Sequence, residues 1–264
     1  MMKTINLDFL GKDSVRYCKD IELPDEVYDE LKKLADMKNP GEEIFDRATS
    51  ADVSAFLNEV HQGISPKVLR TAKCNKVLVE NLKKQQVSKD ATPSEKVRAM
   101  YRANLEIAKT LNHQKNVAKN FKEQEKKAEE KVDNQKQSLK DLVQKQKEKL
   151  EKIAADEKDV KVKYEKMPKI RAEKLSKLQE RRQKLEAQVA KAEARIEKAE
   201  FNLTKKQETK DINLGTSLAA YADSRVIFSW CNDVGLDPKM IYTKALLEKF
   251  SDAADTPASF WKKI

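Results

Sequence analysis

Between Lys119 and Lys210 the apolar residues thin to a stripe at heptad spacing, set in 28 Lys and Arg against 19 Asp and Glu. In the first half the stripe runs Val132, Leu139, Ile153 and Val160, with Gln146 interrupting it. In the second half it runs Leu178, Leu185, Val189, Ala192, Ile196, Ala199 and Leu203. Met167-Pro168 falls between the halves, where proline removes a backbone donor and ends a helix. This spacing predicts an antiparallel two-helix coiled coil with its tip near residue 168. Each arm of about 40 residues would reach roughly 60 Å at the helical rise per residue. What precedes and follows must therefore form the globular part of the molecule. Neither piece is large enough to bury a comfortable core alone, so the two are expected to pack together.

The piece before the stripe, 1–118, opens on a strand pattern. Ile5, Leu7 and Phe9 alternate with polar residues, Gly11-Lys12-Asp13 makes a turn, and Val15 and Tyr17 resume the alternation. This reads as a β-hairpin with Lys12 at its tip, expected to belong to a larger sheet because a lone hairpin is marginal in water. Helices follow: one from Pro24 to about Lys38, and one capped by Ser50 and running to about Gln62. Ser65-Pro66 opens another, with a capping residue ahead of a first-turn proline. Thr92-Pro93-Ser94-Glu95 combines a capping box with such a proline and predicts a helix through Tyr101 to about His113. In the piece after the stripe, 211–264, helices are expected from about Asp223 to Val234, stopped by Gly235, and from Asp237-Pro238 to about Ala253. The fold class is mainly α: a helical domain with an N-terminal hairpin, a coiled-coil linker over 119–210 and a small helical C-terminal domain.

Composition narrows the function classes. The whole chain carries 54 Lys and Arg against 44 Asp and Glu, a net +10, which favours a polyanionic partner. The stripe supplies nearly all of that surplus. No stretch is long and apolar enough for a membrane helix, and Asp8 interrupts the start as a signal peptide, so no membrane partner is expected. Cys18, Cys74 and Cys231 lack metal-ligand spacing and read as reduced thiols of a cytosolic, nuclear or nucleoid protein. There is no Gly-x-x-x-x-Gly-Lys phosphate loop and no carboxylate cluster suited to Mg²⁺. No cofactor or metal is expected. His61 carries no motif and reads as a surface residue.

Several short blocks share one resemblance. Phe9-Leu10-Gly11-Lys12-Asp13-Ser14-Val15-Arg16-Tyr17 resembles the lysine-bearing hairpin of eukaryotic-type (type IB) DNA topoisomerases. Ile44-Phe45-Asp46-Arg47, Lys67-Val68-Leu69-Arg70-Thr71 and Leu111-Asn112-His113-Gln114 resemble later blocks of the same catalytic domain. A charged coiled-coil linker follows, then Leu214-Gly215-Thr216-Ser217 with Tyr221 and Arg225 behind it. Order and spacing agree over nearly the whole chain. The resemblance implies ATP-independent relaxation of supercoiled double-stranded DNA: a tyrosine attacks a phosphodiester, forms a 3′-phosphotyrosine, and is displaced on religation. It implies Tyr221 as nucleophile, with Arg70, His113 and Lys12 as its catalytic partners and Lys67, Asn112 and Asp13 as DNA contacts.

The residue types suit that chemistry. Phenols ionise near pH ~10, so a tyrosine nucleophile needs cations around it. The arginine fork grips two phosphate oxygens as charge builds in the transition state. Arg70 and Lys67 lie one turn apart near a helix start, where the dipole also favours an anion. His113 would donate to a non-bridging oxygen, and Lys12 would protonate the leaving 5′-oxygen.

The same residues have plainer readings. A tyrosine near a helix start packs as a half-buried side chain, a histidine can end a helix, and lysines in a turn are solvated. Departures from the family pattern are local. The family carries an asparagine before the tyrosine and Asp-Pro-Arg after it, where this chain has Ala220 and Asp223-Ser224-Arg225. The resemblance also implies a further arginine upstream of the hairpin, ahead of Met1. These 264 residues are therefore expected to relax DNA poorly unless an upstream polypeptide segment completes the site. Two alternatives stay open: a catalytically inactive DNA-binding coiled-coil protein, and a tyrosine recombinase-like strand transferase. The family default is a nuclear protein, or a nucleoid one in an archaeal cell.

Overall fold

The computed structural model describes residues 3–11 and 15–264; Lys12 and Asp13, the hairpin residues singled out above, lie outside the described residues. The protein is mainly α and divides into two compact units. One joins Met1–Asn116 to Asp211–Ile264, and the other is Val117–Lys210.

The second unit is the coiled coil. Helix α5 (Phe121–Lys163) and helix α6 (Pro168–Glu208) run antiparallel, turning over 164–167. Pro168 sits in the first turn of α6, where its missing N–H costs nothing. Val132 and Ile153 on α5 and Leu178 and Ile196 on α6 are buried, so the heptad stripe forms the seam. The polar interruption is part of that seam: Gln146 is only 3% exposed and its Nε2 donates to Gln188 Oε1 at 3.0 Å. Surface charges cross-link the helices, as in Lys136 with Glu200 at 2.7 Å.

In the first unit, strands β1 (Lys3–Leu10) and β2 (Arg16–Leu23) pair antiparallel with Phe9 opposite Tyr17. The Gly11 N–H donates to the Val15 carbonyl at 2.9 Å, and the Phe9 and Tyr17 rings stack with centroids 4.9 Å apart. Arg16 grips Asp8 with both nitrogens of its fork. Among the described residues the sheet has these two strands alone.

Helix α1 (Asp25–Asp36) and helix α2 (Ser50–Val60) follow and bury no residue. The cap of α2 is Thr49 rather than Ser50. Its hydroxyl accepts from the Asp52 N–H while the Asp52 carboxylate accepts from the Thr49 N–H, a reciprocal pair that Ser50, whose third residue on is Val53, has no acid to make.

The core lies between helix α3 (Pro66–Gln85), helix α4 (Pro93–Thr110) and helix α8 (Ser224–Val234). Cys74, Leu78 and Leu82 repeat at helical spacing on α3, and Met100, Ala103 and Ile107 do so on α4. Ile227, Trp230 and Val234 complete the contact from α8. Truncating a side chain such as Leu78, which is fully buried, to alanine would cost about 2–5 kcal/mol. Ser65 and Thr92 cap α3 and α4 as their sequences predict. Helix α4 stops at Thr110, three residues short of His113, for a reason that belongs to the site.

The last expected helix is broken. Residues Pro238–Met240 form a 3-10 turn, helix α9 covers only Lys244–Lys249, and Ser251–Ala253 is a second 3-10 turn. Tyr242 is drawn into the core, 3% exposed, with its ring against Phe228 and Phe250. Thr243 turns to an extended conformation behind it. Tertiary packing of one aromatic side chain overrides the helical periodicity here.

Candidate functional site

Where α4 ends, the backbone makes a Schellman closure. Asn112 takes the left-handed conformation at φ 54°, its N–H reaches the Lys109 carbonyl at 3.1 Å, and the His113 N–H reaches the Ala108 carbonyl at 2.9 Å. Asparagine tolerates that conformation better than most residues. The closure turns His113 away from the helix axis. Asn112, expected as a DNA contact, has a backbone role in this closure.

Two further hydrogen bonds fasten this corner to the far end of the sequence. The Asn213 N–H donates to the His113 carbonyl at 2.7 Å, and the Lys115 N–H donates to the Asp211 carbonyl at 2.8 Å. Asn213 then caps helix α7 (Leu214–Ala220), its Oδ1 accepting from the Gly215 N–H at 3.0 Å. The stretch leaving α4 and the stretch entering α7 are therefore neighbours, although the whole coiled coil lies between them in sequence.

Tyr221 follows α7 directly, half-buried. The Arg70 Cζ lies 5.4 Å from the centre of its ring, and the His113 ring centre lies 5.2 Å away at an interplanar angle of 47°. Arg70 is itself aimed: its Nη2 donates to the Leu111 carbonyl at the end of α4, 3.1 Å away. Arginine, histidine and tyrosine from three separate segments thus share one place. Lys67 stands exposed one turn before Arg70. Gly11 and Val15, which bracket Lys12 and Asp13 in sequence, line a cleft of about 190 Å³ together with Tyr17, Asn112, His113 and Thr216.

Two asparagines that sequence reading passed over hold the tyrosine segment. Asn75 donates from Nδ2 to the Thr71 and Tyr221 carbonyls at 2.9 and 3.3 Å, and its Oδ1 accepts from the Asp223 N–H at 2.7 Å. Asn104 receives the fully buried Ser217 hydroxyl at 2.6 Å and donates to the Leu214 carbonyl at 3.2 Å. A signal for both existed. Each is an amide placed among the apolar residues of a helix face, where polar groups persist only if hydrogen-bonded.

Electrostatics follow from burial and neighbours. Burial first, and then the charge of Arg70, hold the His113 imidazole below its ordinary range, so it is neutral near pH ~7. Its buried Nδ1 has no hydrogen-bond partner among the described residues, which favours the tautomer carrying the proton on Nε2. Burial pushes Asp223 upward, but the hydrogen bonds from the Arg225 side chain and backbone outweigh it and hold the carboxyl below its usual value. Asp223 also caps α8 and pairs with Arg225 at 2.6 Å. Burial drives the thiols of Cys74 and Cys231 up to about 12, so both are inert. Among the described residues no His, Cys, Asp and Glu cluster could hold a metal ion, and no helix is long and apolar enough to cross a membrane.

Fold and site together define a class: mainly α chains in which a coiled-coil insertion separates an arginine–histidine half from a tyrosine half. Comparison with known proteins narrows the class. Residues 1–146 match the eukaryotic DNA topoisomerase I catalytic core, and residues 193–262 match the C-terminal topoisomerase domain. The chain belongs to the eukaryotic DNA topoisomerase I family. It is 32% identical to DNA topoisomerase 1 of Caenorhabditis elegans over 95% of its own length and 28% of that protein's. It is 30% identical to DNA topoisomerase 1 of Homo sapiens, over 95% of this chain and 30% of the human protein. It is also 30% identical to the mitochondrial DNA topoisomerase I of Rattus norvegicus, over 94% of this chain and 38% of that one. The chain thus spans well under half the length of these relatives.

Proposed function

We propose that Tyr221 is the nucleophile of a DNA strand-transfer reaction that relaxes supercoiled duplex DNA without ATP. The phenolate oxygen attacks a backbone phosphorus, the P–O5′ bond breaks, and a 3′-phosphotyrosine and a free 5′-hydroxyl result. The phenolic proton leaves to solvent, and the leaving 5′-oxygen takes a proton from Lys12. Rotation of the freed end sheds supercoils. Attack of the 5′-hydroxyl on the phosphotyrosine then restores the strand and the phenol. One phosphoester replaces another at each step, so no external energy source enters.

The observation that carries this reading is the convergence on one phenol of two groups suited to a phosphate, Arg70 at 5.4 Å and His113 at 5.2 Å from the ring. Arg70 would grip non-bridging oxygens and stabilise the charge that grows on them. His113, neutral with its proton on Nε2, would donate one hydrogen bond to the same phosphate. Lys67, Asn112 and Asp13 are proposed DNA contacts. The surplus positive charge of the coiled coil would add salt-sensitive attraction to duplex DNA. We assign the residues three organisational roles: 1–118 as part of the catalytic core, 119–210 as linker and 211–264 as the tyrosine-bearing domain. The proposed partners are double-stranded DNA and an upstream polypeptide segment bearing the further arginine the resemblance implies; the proposed location is the nucleus.

The test is a suicide duplex, cut so that the fragment released with a 5′-hydroxyl diffuses away and traps the adduct. It is offered to this chain alone and to the chain mixed with the upstream portion of the C. elegans relative. A covalent DNA–protein band that disappears in Tyr221→Phe is expected in at least the mixed arm. No band in either arm, or a band that survives Tyr221→Phe, overturns the assignment.

A further inference from the structure

We infer that Asn75 is the positioning residue for Tyr221, setting the phenol against Arg70 through hydrogen bonds to the Tyr221 carbonyl and to the Asp223 N–H just beyond it. The inference rests on the reading of Tyr221 as nucleophile, but its geometry is independent of it.

Helix α3 carries both Arg70 and Asn75, five residues apart, so about 7.5 Å of rigid rise separates them. Arg70 reaches the ring of Tyr221, and Asn75 reaches its main chain. One helix thus measures the distance between the guanidinium and the phenol.

The Asn75 side chain is used almost to capacity. Its two donors go to the Thr71 and Tyr221 carbonyls, and its acceptor takes the Asp223 N–H. The bond to Thr71 ties the amide back to its own helix and fixes its direction. The other two bracket Ala222, whose side chain is buried in the core. At 9% exposed, Asn75 leaves little room for water to take its place. Tyr221 lies past the C-terminus of a short helix, and its segment is joined to α3 through a chain that first passes along the whole coiled coil. Backbone hydrogen bonds anchor the start of α7 at His113, and the Asn75 amide supplies directional contacts at its far end. Asn104 performs the complementary task at the start of α7 through Ser217 and Leu214, without touching the peptides next to Tyr221.

The experiment places 3-fluorotyrosine at position 221 of the full chain and records its ¹⁹F line, in parallel with single-turnover cleavage of the suicide duplex in the mixed assay. Asn75→Ala is expected to move or broaden the ¹⁹F line. It should slow cleavage by about tenfold to a hundredfold, the scale of a misplaced reacting group, with DNA affinity unchanged within about twofold. Asn75→Ser is the second variant: its hydroxyl can still bond the Thr71 carbonyl within the helix but is too short to reach Tyr221 and Asp223. It should reproduce the ¹⁹F change even if Asn75→Ala does not fold. Asn104→Ala should alter the Tyr221 line less than either. An unchanged ¹⁹F line in the folded Asn75→Ser protein, or a loss explained entirely by weaker DNA binding, overturns the inference. If the line moves as expected while the wild-type chain forms no adduct in any arm, the positioning stands and the nucleophile assignment falls.

Discussion

The Arg70 guanidinium faces two ways at once, with its carbon 5.4 Å from the centre of the Tyr221 ring and one nitrogen 3.1 Å from the Leu111 carbonyl. The second contact orients the first. Leu111 caps α4, so the arginine lies against the negative end of that helix with its guanidinium carbon over the phenol ring. It also sits near the start of α3, on which the phosphate-binding reading depends.

A lysine cannot make both contacts, because a single ammonium lacks the planar fork. Arg70→Lys is expected to slow single-turnover cleavage of a suicide duplex by about a hundredfold to a thousandfold, comparable to losing one preorganised donor to the transition state. The rate measured at saturating DNA checks this; a rate within a few-fold of wild type would remove Arg70 from the chemistry.

His113 predicts how stability depends on pH. Burial and Arg70 depress its folded pKa below its ordinary value of 6.5, so the unfolded chain takes up this proton at higher pH than the folded one. The stability it contributes is complete above its unfolded pKa and is lost as pH falls through the lower folded value. The urea midpoint should therefore drop as the pH is lowered past the ordinary histidine value, and His113→Gln should flatten that part of the curve. An unchanged slope in the variant would show that other groups carry the dependence.

Gln146 is the one polar residue buried in the coiled-coil seam. Its partner Gln188 is exposed and can turn to water. Gln146→Leu should therefore stabilise the coiled coil by about 1 kcal/mol, because it adds apolar burial without stranding a donor. Thermal unfolding followed by circular dichroism reads this directly. A lower midpoint would mean the amide pair contributes more than the buried surface that replaces it.

Gly235 closes α8 in the left-handed conformation at φ 67°, and a Cβ there would meet nothing within 4 Å. The cost of Gly235→Ala is therefore backbone strain alone, about 1–2 kcal/mol. Chemical denaturation should show that loss with an unchanged m-value.

Much of the architecture could be read from local chemistry. The capping box at Thr92, the Ser65-Pro66 start and the Gly235 stop act within one turn of chain, so residue identity alone announces them. The heptad stripe with proline at its midpoint likewise dictates two long antiparallel helices. Local signals failed where packing outweighed them, as when burial of Tyr242 broke the helix expected after Pro238. Family resemblance to short blocks pointed to Arg70, His113 and Tyr221, but only tertiary structure brought them around one ring. Asn75 and Asn104 show why: their hydrogen bonds join residues separated by the entire coiled coil, and such contacts leave no periodic trace in sequence. Periodicity and capping arise from interactions between near neighbours along the chain, whereas the site arises from the alignment of α3, α4 and α7, which exists only once their apolar faces have found one another.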